Sequence, residues 1–337
     1  MIKSVQFLLA ILFMAVSCKS GTDKPSLVKE TAPEAKTEAD LLVEYLAKSG
    51  DYVNSRQFPS MIKPETVLKS LDSGCHVIDL RDPGVFANGH IKGAVNVQFS
   101  DIPAYFENGI KPYEYDKIIL VCDHGQRSSY TTQLLRLMGY GNVYSMRWGM
   151  AAWNPALAGD GPWPELTGSD FSSKLETKEN LAPVPGTYPS PGTGKSTGKE
   201  IFKERIQKLF SEGLKDFSVS AEDVFANTDS FYIINYERKD KYDFGHIPGA
   251  VRYKPGATLG IEAEMKTIPP DKEVVVYCAT GHNSAFVVAY LRLLGYKAHS
   301  LRFGTNSFMY DKMVQEKTRL SWEAFSAEMV KDYPFTK

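Results

Sequence analysis

Ile118-Ile119-Leu120-Val121-Cys122-Asp123-His124-Gly125-Gln126-Arg127-Ser128 opens with four consecutive apolar residues and closes on a glycine, a cation and a hydroxyl. An uninterrupted apolar run of that length suits a central parallel strand buried on both faces. From Ser128 to Met138 the pattern is helical, so residues 123–127 join a strand to a helix. In open α/β sheets, ligands collect at the carboxyl ends of strands. A tight loop there presents consecutive backbone N–H groups as an anion-binding nest, and the following helix adds its unpaired N–H groups. Gly125 lets the backbone curl, and Arg127 brings a permanent charge with forked donors. A cysteine in such a loop is expected to have its pKa lowered from ~8.5 and to be a thiolate near neutral pH. A thiolate beside an anion site supports sulfur transfer, phosphate ester hydrolysis or redox sensing.

Outward from this loop the chain alternates strands and helices. Thr37 with Asp40 forms a capping box for an amphipathic helix carrying Leu41, Leu42, Tyr45 and Leu46. Pro64 suits the first turn of a helix ending near Leu71, and His76 to Leu80 reads as a short strand. The pattern then recurs. At an offset of 156 residues, Gly89-His90-Ile91-Lys92-Gly93-Ala94-Val95 falls on Gly245-His246-Ile247-Pro248-Gly249-Ala250-Val251, and Cys122 falls on Cys278. Leu135-Arg136-Leu137-Met138-Gly139-Tyr140 falls on Leu291-Arg292-Leu293-Leu294-Gly295-Tyr296, and one deletion brings Met146-Arg147-Trp148-Gly149 onto Leu301-Arg302-Phe303-Gly304. The chain is a tandem duplication, with Thr197 and Glu200 capping the first helix of the second copy. Alternating elements in each copy predict an α/β fold, a parallel sheet with helices on both faces. Asp79 and Arg81 read as a structural pair, His90 and His246 as turn-fixing residues, and Cys75 as an ordinary buried residue.

Between the copies, residues 155 to 196 are rich in Pro, Gly, Ser and Thr and read as a linker. Gly192-Thr193-Gly194-Lys195-Ser196 superficially suggests a nucleotide-binding loop, but Pro189 stands where that motif needs a glycine, and no strand precedes it. With 39 basic against 40 acidic residues, the chain has no basic field for nucleic acid. At the N-terminus, Lys3 precedes the apolar run Phe7 to Val16, too short to span a bilayer. It ends at Ala15-Val16-Ser17-Cys18, which resembles the lipobox of bacterial lipoproteins. That resemblance implies cleavage before Cys18, lipid attachment to its sulfur, and an exported protein held at a membrane facing the periplasm or cell exterior. Residues 19 to 36 then form a polar tether with a reach of roughly 25 Å. The expected organisation is a signal peptide at 1–17, a lipidated tether at 18–36, domains at 37–155 and 198–337, and a linker at 156–197. Cys75, Cys122 and Cys278 remain, an odd number that leaves at least one free thiol.

Val77-Ile78-Asp79-Leu80-Arg81-Asp82, then Phe86, Gly89-His90-Ile91-Lys92-Gly93-Ala94, Cys122-x-x-Gly125-x-Arg127-Ser128 and Gly149-Met150-Ala151-Ala152-Trp153 together resemble the rhodanese homology domain. The resemblance runs through both copies and implies two tandem rhodanese-like domains. It implies that Cys122 takes a sulfane sulfur from a small anionic donor such as thiosulfate, holds it as a persulfide, and passes it to cyanide or another thiol. No metal or organic cofactor is implied. Asp123, His124, Gly125, Gln126, Arg127 and Ser128 would surround the substrate. The second copy departs from the pattern. It has Asn235 and Glu237 for Asp79 and Arg81, and its loop Cys278-Ala279-Thr280-Gly281-His282-Asn283 has lost the cation. Tandem members of this family usually keep the working site second; here the intact loop comes first, and Cys278, Gly281 and Asn283 make a weaker second site.

Two other readings remain open. One is a cysteine-dependent phosphatase or arsenate reductase, whose family loops are one residue longer than the four residues between Cys122 and Arg127. The other is a non-catalytic binding scaffold. The anchor has its own test: a Cys18→Ser variant is expected to stay unprocessed or to leave the detergent phase in a partitioning assay, and unchanged membrane fractionation would refute the lipid assignment.

Overall fold

Two five-stranded sheets, parallel throughout, account for the alternation of strands and helices. The computed structural model describes residues 35–158, 166–260, 264–316, 322 and 324–337. The leader and Cys18 lie outside them. In the first repeat β1 (Met61–Ile62), β2 (Cys75–Asp79), β3 (Val95–Asn96), β4 (Lys117–Val121) and β5 (Val143–Met146) take the order β1-β5-β4-β2-β3. The second repeat has the same topology: β6 (Ser218–Val219), β7 (Phe231–Asn235), β8 (Val251–Arg252), β9 (Glu273–Tyr277) and β10 (Ala298–Leu301) lie in the order β6-β10-β9-β7-β8. The cysteines therefore follow the central strands, β4 and β9.

Side chains on these strands divide between two cores. Ile118 and Leu120 join one with Ile78, while Ile119 and Val121 join another with Val77. Period-two alternation with both faces apolar is the signature of a sheet covered on both sides. The second repeat divides likewise, Val274 and Val276 on one face, Val275 and Tyr277 on the other. The first core is common to both repeats, since Ile118, Leu120, Tyr130 and Leu134 share it with Val276, Val287 and Leu291. The helices Gln126–Leu137 and His282–Leu294 pack on each other inside it. Residues Lys36–Lys337 accordingly form one unit.

Local signals fix the helix starts. Thr37 and Asp40 form the reciprocal capping box, and Thr197 caps the helix Gly198–Glu212 through the Glu200 amide. The helix after Cys122 begins at Gln126, two residues before the expected Ser128, because Gly125 at φ +87° serves as its N-cap.

The segment expected to be a plain linker is instead docked on the second repeat. Glu176 exchanges backbone hydrogen bonds with His246, and the Gly186 amide donates to the Lys266 carbonyl. The C-terminal tail does the same for the first repeat. Thr336 exchanges backbone bonds with His90, the Lys331 amide donates to Ala152, and the Trp153 indole N–H donates to the Pro334 carbonyl at 3.0 Å. Each Gly-His-Ile turn is thus covered by the segment that follows the other repeat. A Cβ on Gly89 would meet Leu157 at 2.5 Å and Phe335 at 2.9 Å, which accounts for the glycine. The Gly192–Ser196 loop does form a nest, filled by the protein itself: the Thr193 and Gly194 amides donate to the Glu38 carboxylate at 2.9 and 2.6 Å.

Deleting residues 331–337 strips these bonds from the first repeat and uncovers Trp153. A loss of about 2–4 kcal/mol is expected, read as a lower urea midpoint; an unchanged midpoint would show that the tail adds nothing to the folded state.

Candidate active site

Cys122 sits at the carboxyl end of β4, 1% exposed, with its Sγ facing the backbone of its own loop. The Gly125 amide lies 3.2 Å and the Ser128 amide 3.4 Å from Sγ, both as donors. The loop is held from the opposite side. The Met150 and Ala151 amides donate to the Cys122 and Asp123 carbonyls at 2.8 and 3.0 Å, so the carbonyls are satisfied away from the sulfur. Gly149, at φ +63°, makes that approach feasible, because a Cβ there would lie 2.5 Å from both carbonyl oxygens. The closing segment seen in the sequence is therefore the clamp of the cysteine loop.

The thiol differs from expectation. Burial pushes the Cys122 thiol up, and the neighbouring Asp123 charge pushes the same way, against the Ser128 donors and Arg127. Arg127 is too exposed to offset this, being 45% accessible and 3.7 Å from the Asp123 carboxylate that shares its charge. Burial thus opposes the ionisation that the preformed set of anion donors favours.

Above it opens a cleft of ≈ 580 Å³. Cys122, Asp123, His124, Gln126 and Arg127 line one side; Lys215, Arg302 and Phe303 come from the second repeat. Two residues expected around the substrate also make bonds that the sequence does not show. The Ser128 hydroxyl lies 3.5 Å from the Cys122 sulfur and bonds the Gly125 carbonyl at 3.1 Å and Ser145 at 2.8 Å. The Gln126 amide reaches into the second repeat, donating to the Gly281 carbonyl at 3.4 Å and accepting from the Phe303 amide at 3.2 Å.

The second loop repeats the design with different electrostatics. The Ser284 amide donates to the Cys278 Sγ at 3.4 Å, and the Thr305 amide holds the Cys278 carbonyl at 2.9 Å. Burial raises this thiol too, followed by the charge of Glu237, which is buried and paired with Lys241 at 3.0 Å. Asn283 brings no charge, yet the ≈ 340 Å³ cleft beside Cys278 is lined by Arg147, Arg238 and Lys241. Cations absent from the loop are thus brought by other elements, with Lys241 paired to Glu237 and Arg238 to Asp240. What distinguishes the second site is the smaller cleft and the buried carboxylate.

His282, the counterpart of Gln126, also crosses between repeats. Its Nε2 lies 3.0 Å from the His124 carbonyl and 3.2 Å from the Trp148 amide nitrogen, and Nδ1 lies 2.6 Å from the Thr280 hydroxyl. Burial, with the Arg147 charge, holds its pKa down to about 3. The neutral ring either donates from Nε2 to His124 or accepts from Trp148, according to tautomer. Asp79 and Arg81 form the expected buried pair, bonded through two nitrogens, and Arg81 also anchors the Gly89 carbonyl at 2.7 Å. His90 and His246 stack on Phe86 and Tyr242 and bond backbone carbonyls, as turn-fixing residues would.

A rhodanese-like domain model matches residues 63–156 and 221–310. The chain belongs to the rhodanese-like family. Over 100 residues it is 32% identical to the thiosulfate sulfurtransferase GlpE of Pseudomonas entomophila, spanning 29% of this chain and 88% of that protein. GlpE of Shewanella oneidensis is 37% identical over 83 residues, 24% of this chain and 78% of its own. Among solved structures, a rhodanese-related protein of Thermoplasma volcanium covers 27% of this chain and 86% of its own at 21% identity, with a TM-score of 0.25. Both rhodanese-like matches contain a cysteine loop. Lys215 and Arg302 were not read from the sequence as site residues; the repeat places Arg302 on Arg147, but nothing in it shows that either crosses to the other domain.

The raised thiol has a kinetic signature. Alkylation of Cys122 by neutral iodoacetamide, followed by peptide mass spectrometry, is expected to keep rising above pH ~8.5, the ordinary value for a free thiol, because burial shifts this one upward. A plateau reached by pH ~7 would instead require a thiol of strongly lowered pKa.

Proposed function

We propose that this rhodanese-like protein is a sulfurtransferase that moves sulfane sulfur from a small anionic donor such as thiosulfate to a thiophilic acceptor through a persulfide on Cys122. The carrying observation is the Cys122 sulfur at the floor of the larger cleft, facing the Gly125 and Ser128 amides. In the first step the Cys122 thiolate attacks the outer sulfur of thiosulfate. The S–S bond of the donor breaks with its electron pair on the departing sulfite, and a Cys122 persulfide anion forms. In the second step cyanide or a thiolate attacks the outer persulfide sulfur, taking it as thiocyanate or as a new persulfide, and the Cys122 thiolate returns.

Each step keeps a negative charge at the loop, and the two amides lower its energy without reorganising. The raised thiol fits this cycle. Burial protects the resting thiol; the attacking thiolate forms when its proton passes to solvent through the cleft, and the cationic side chains there favour the anion. The loop also supports sulfur over phosphorus, because only four residues separate Cys122 from Arg127 and the ring of donors is correspondingly small. The apolar run before Cys18 supports a location outside the cytoplasm, with the domains tethered to a membrane by lipid.

Mass spectrometry after incubation with thiosulfate is expected to show one added sulfur on the Cys122 peptide. Cys122→Ser is expected to remove nearly all thiosulfate:cyanide transfer and Cys278→Ser to leave more than about half, since the smaller cleft and Glu237 disfavour an anion at the second thiol. Comparable losses from both variants, or aryl phosphate turnover exceeding sulfur transfer, would overturn the reading.

A further inference from the structure

Arg147 and Arg302 occupy corresponding positions, directly after the last strand of each sheet. Each lines the cysteine cleft of the other repeat: Arg302 with Cys122, Arg147 with Cys278. The residue that follows is left-handed in both, Trp148 at φ +68° and Phe303 at φ +59°. For bulky side chains that conformation is a genuine outlier, which the surrounding structure has to hold in place. The turn around it is fastened across the interface in each case. The Phe303 amide donates to Gln126, and the Trp148 amide lies within bonding distance of His282 Nε2. Gln126 and His282 are the first residues of the two cysteine helices. Each arginine turn is therefore tied to the start of the helix whose cysteine it faces.

The local charges leave a task for these arginines. At Cys122, Arg127 is 3.7 Å from Asp123, and Asp82 also lines the cleft, so that side of the cleft has no excess of positive charge. Lys215 and Arg302 supply the excess. At Cys278, Lys241 is spent on Glu237 and Arg238 is 3.1 Å from Asp240, and Arg147 adds a further cation.

We propose that the two cysteine pockets are composite, each completed by an arginine of the other repeat, Arg302 for Cys122 and Arg147 for Cys278, which selects anionic ligands at that thiol. This deepens, and rests on, the reading of Cys122 as a nucleophile that meets an anionic donor. Gln126 and His282 are then positioning residues that hold the arginine turns.

Iodoacetate and iodoacetamide test the proposal, being similar alkylating agents that differ in charge. Their rate ratio at each cysteine is read by peptide mass spectrometry on the whole protein, and the neutral reagent reports loop integrity in the same samples. Arg302→Gln is expected to lower the iodoacetate-to-iodoacetamide ratio at Cys122 by roughly three- to tenfold and leave it unchanged at Cys278. Arg147→Gln is expected to do the reverse, and Arg302→Lys to retain most of the ratio at Cys122. The parental ratios should fall with added salt. No change, an equal change at both cysteines, or a change at the cysteine of the same repeat would overturn the proposal. Thiosulfate turnover by the parent separates the two readings. A crossed pattern without turnover sinks the sulfurtransferase assignment alone, and turnover without the crossed pattern sinks the composite pockets alone.

Discussion

The packing of the helix Gln126–Leu137 on the helix His282–Leu294 is the constraint on which both sites depend. Ten residues of the first helix are buried, several of them polar: Ser128, Ser129, Thr131, Thr132 and Gln133. A helix of this composition would not bury itself for hydrophobic gain alone. It is enclosed because a sheet covers one side and the second repeat the other, and Leu134 and Leu135 join the common core with Val287, Val288 and Leu291. Once the two helices face each other, their N-termini are neighbours. The loops before those N-termini carry the cysteines, so a packing requirement brings the two cysteine loops together.

That arrangement explains why corresponding positions behave as pairs. Gln126 and His282 solve the same problem with different chemistry. An amide has a donor and an acceptor on separate atoms and satisfies Gly281 and Phe303 together. An imidazole brings one nitrogen to the interface and satisfies one of two partners at a time. The exchange of trailing segments follows the same symmetry, with the linker on His246 and the tail on His90. Such reciprocity is what a two-fold dimer would show after fusion of its chains.

Much of the fold was legible because it depends on local and periodic signals. The apolar runs at Ile118–Val121 and Val274–Tyr277, the capping residues Thr37 and Thr197, and the repeated Gly-His-Ile turn mark strands, helix starts and duplication without reference to anything distant. The cysteine loop was legible for the same reason. Three things were not. Residues 156–197 were read as a linker because docking by backbone hydrogen bonds, seen in the described part of that segment, leaves no periodic pattern. The bonds of Gln126 to Gly281 and Phe303 left no mark in the sequence, because those partners are more than a hundred residues away. The Cys122 thiol was expected to be lowered because the loop advertises its donors and its cation, whereas burial and the pairing of Arg127 with Asp123 are properties of the folded molecule.

A permanently ionised, accessible thiolate would react with any electrophile that reached it. A thiol whose ionisation burial disfavours, within amides already aimed at its sulfur, depends on nearby positive charge to lower the cost of the thiolate. Arg127 cannot do that alone while Asp123 lies 3.7 Å away. The additional positive charge comes from Lys215 and Arg302, on the far side of the domain boundary. On the proposed reading, reactivity and selectivity reside on different repeats: the loop of the first would supply the nucleophile and its amides, and the second the charges that select what approaches. Duplication in this protein thus does more than double a site, because neither cleft is lined by one repeat alone.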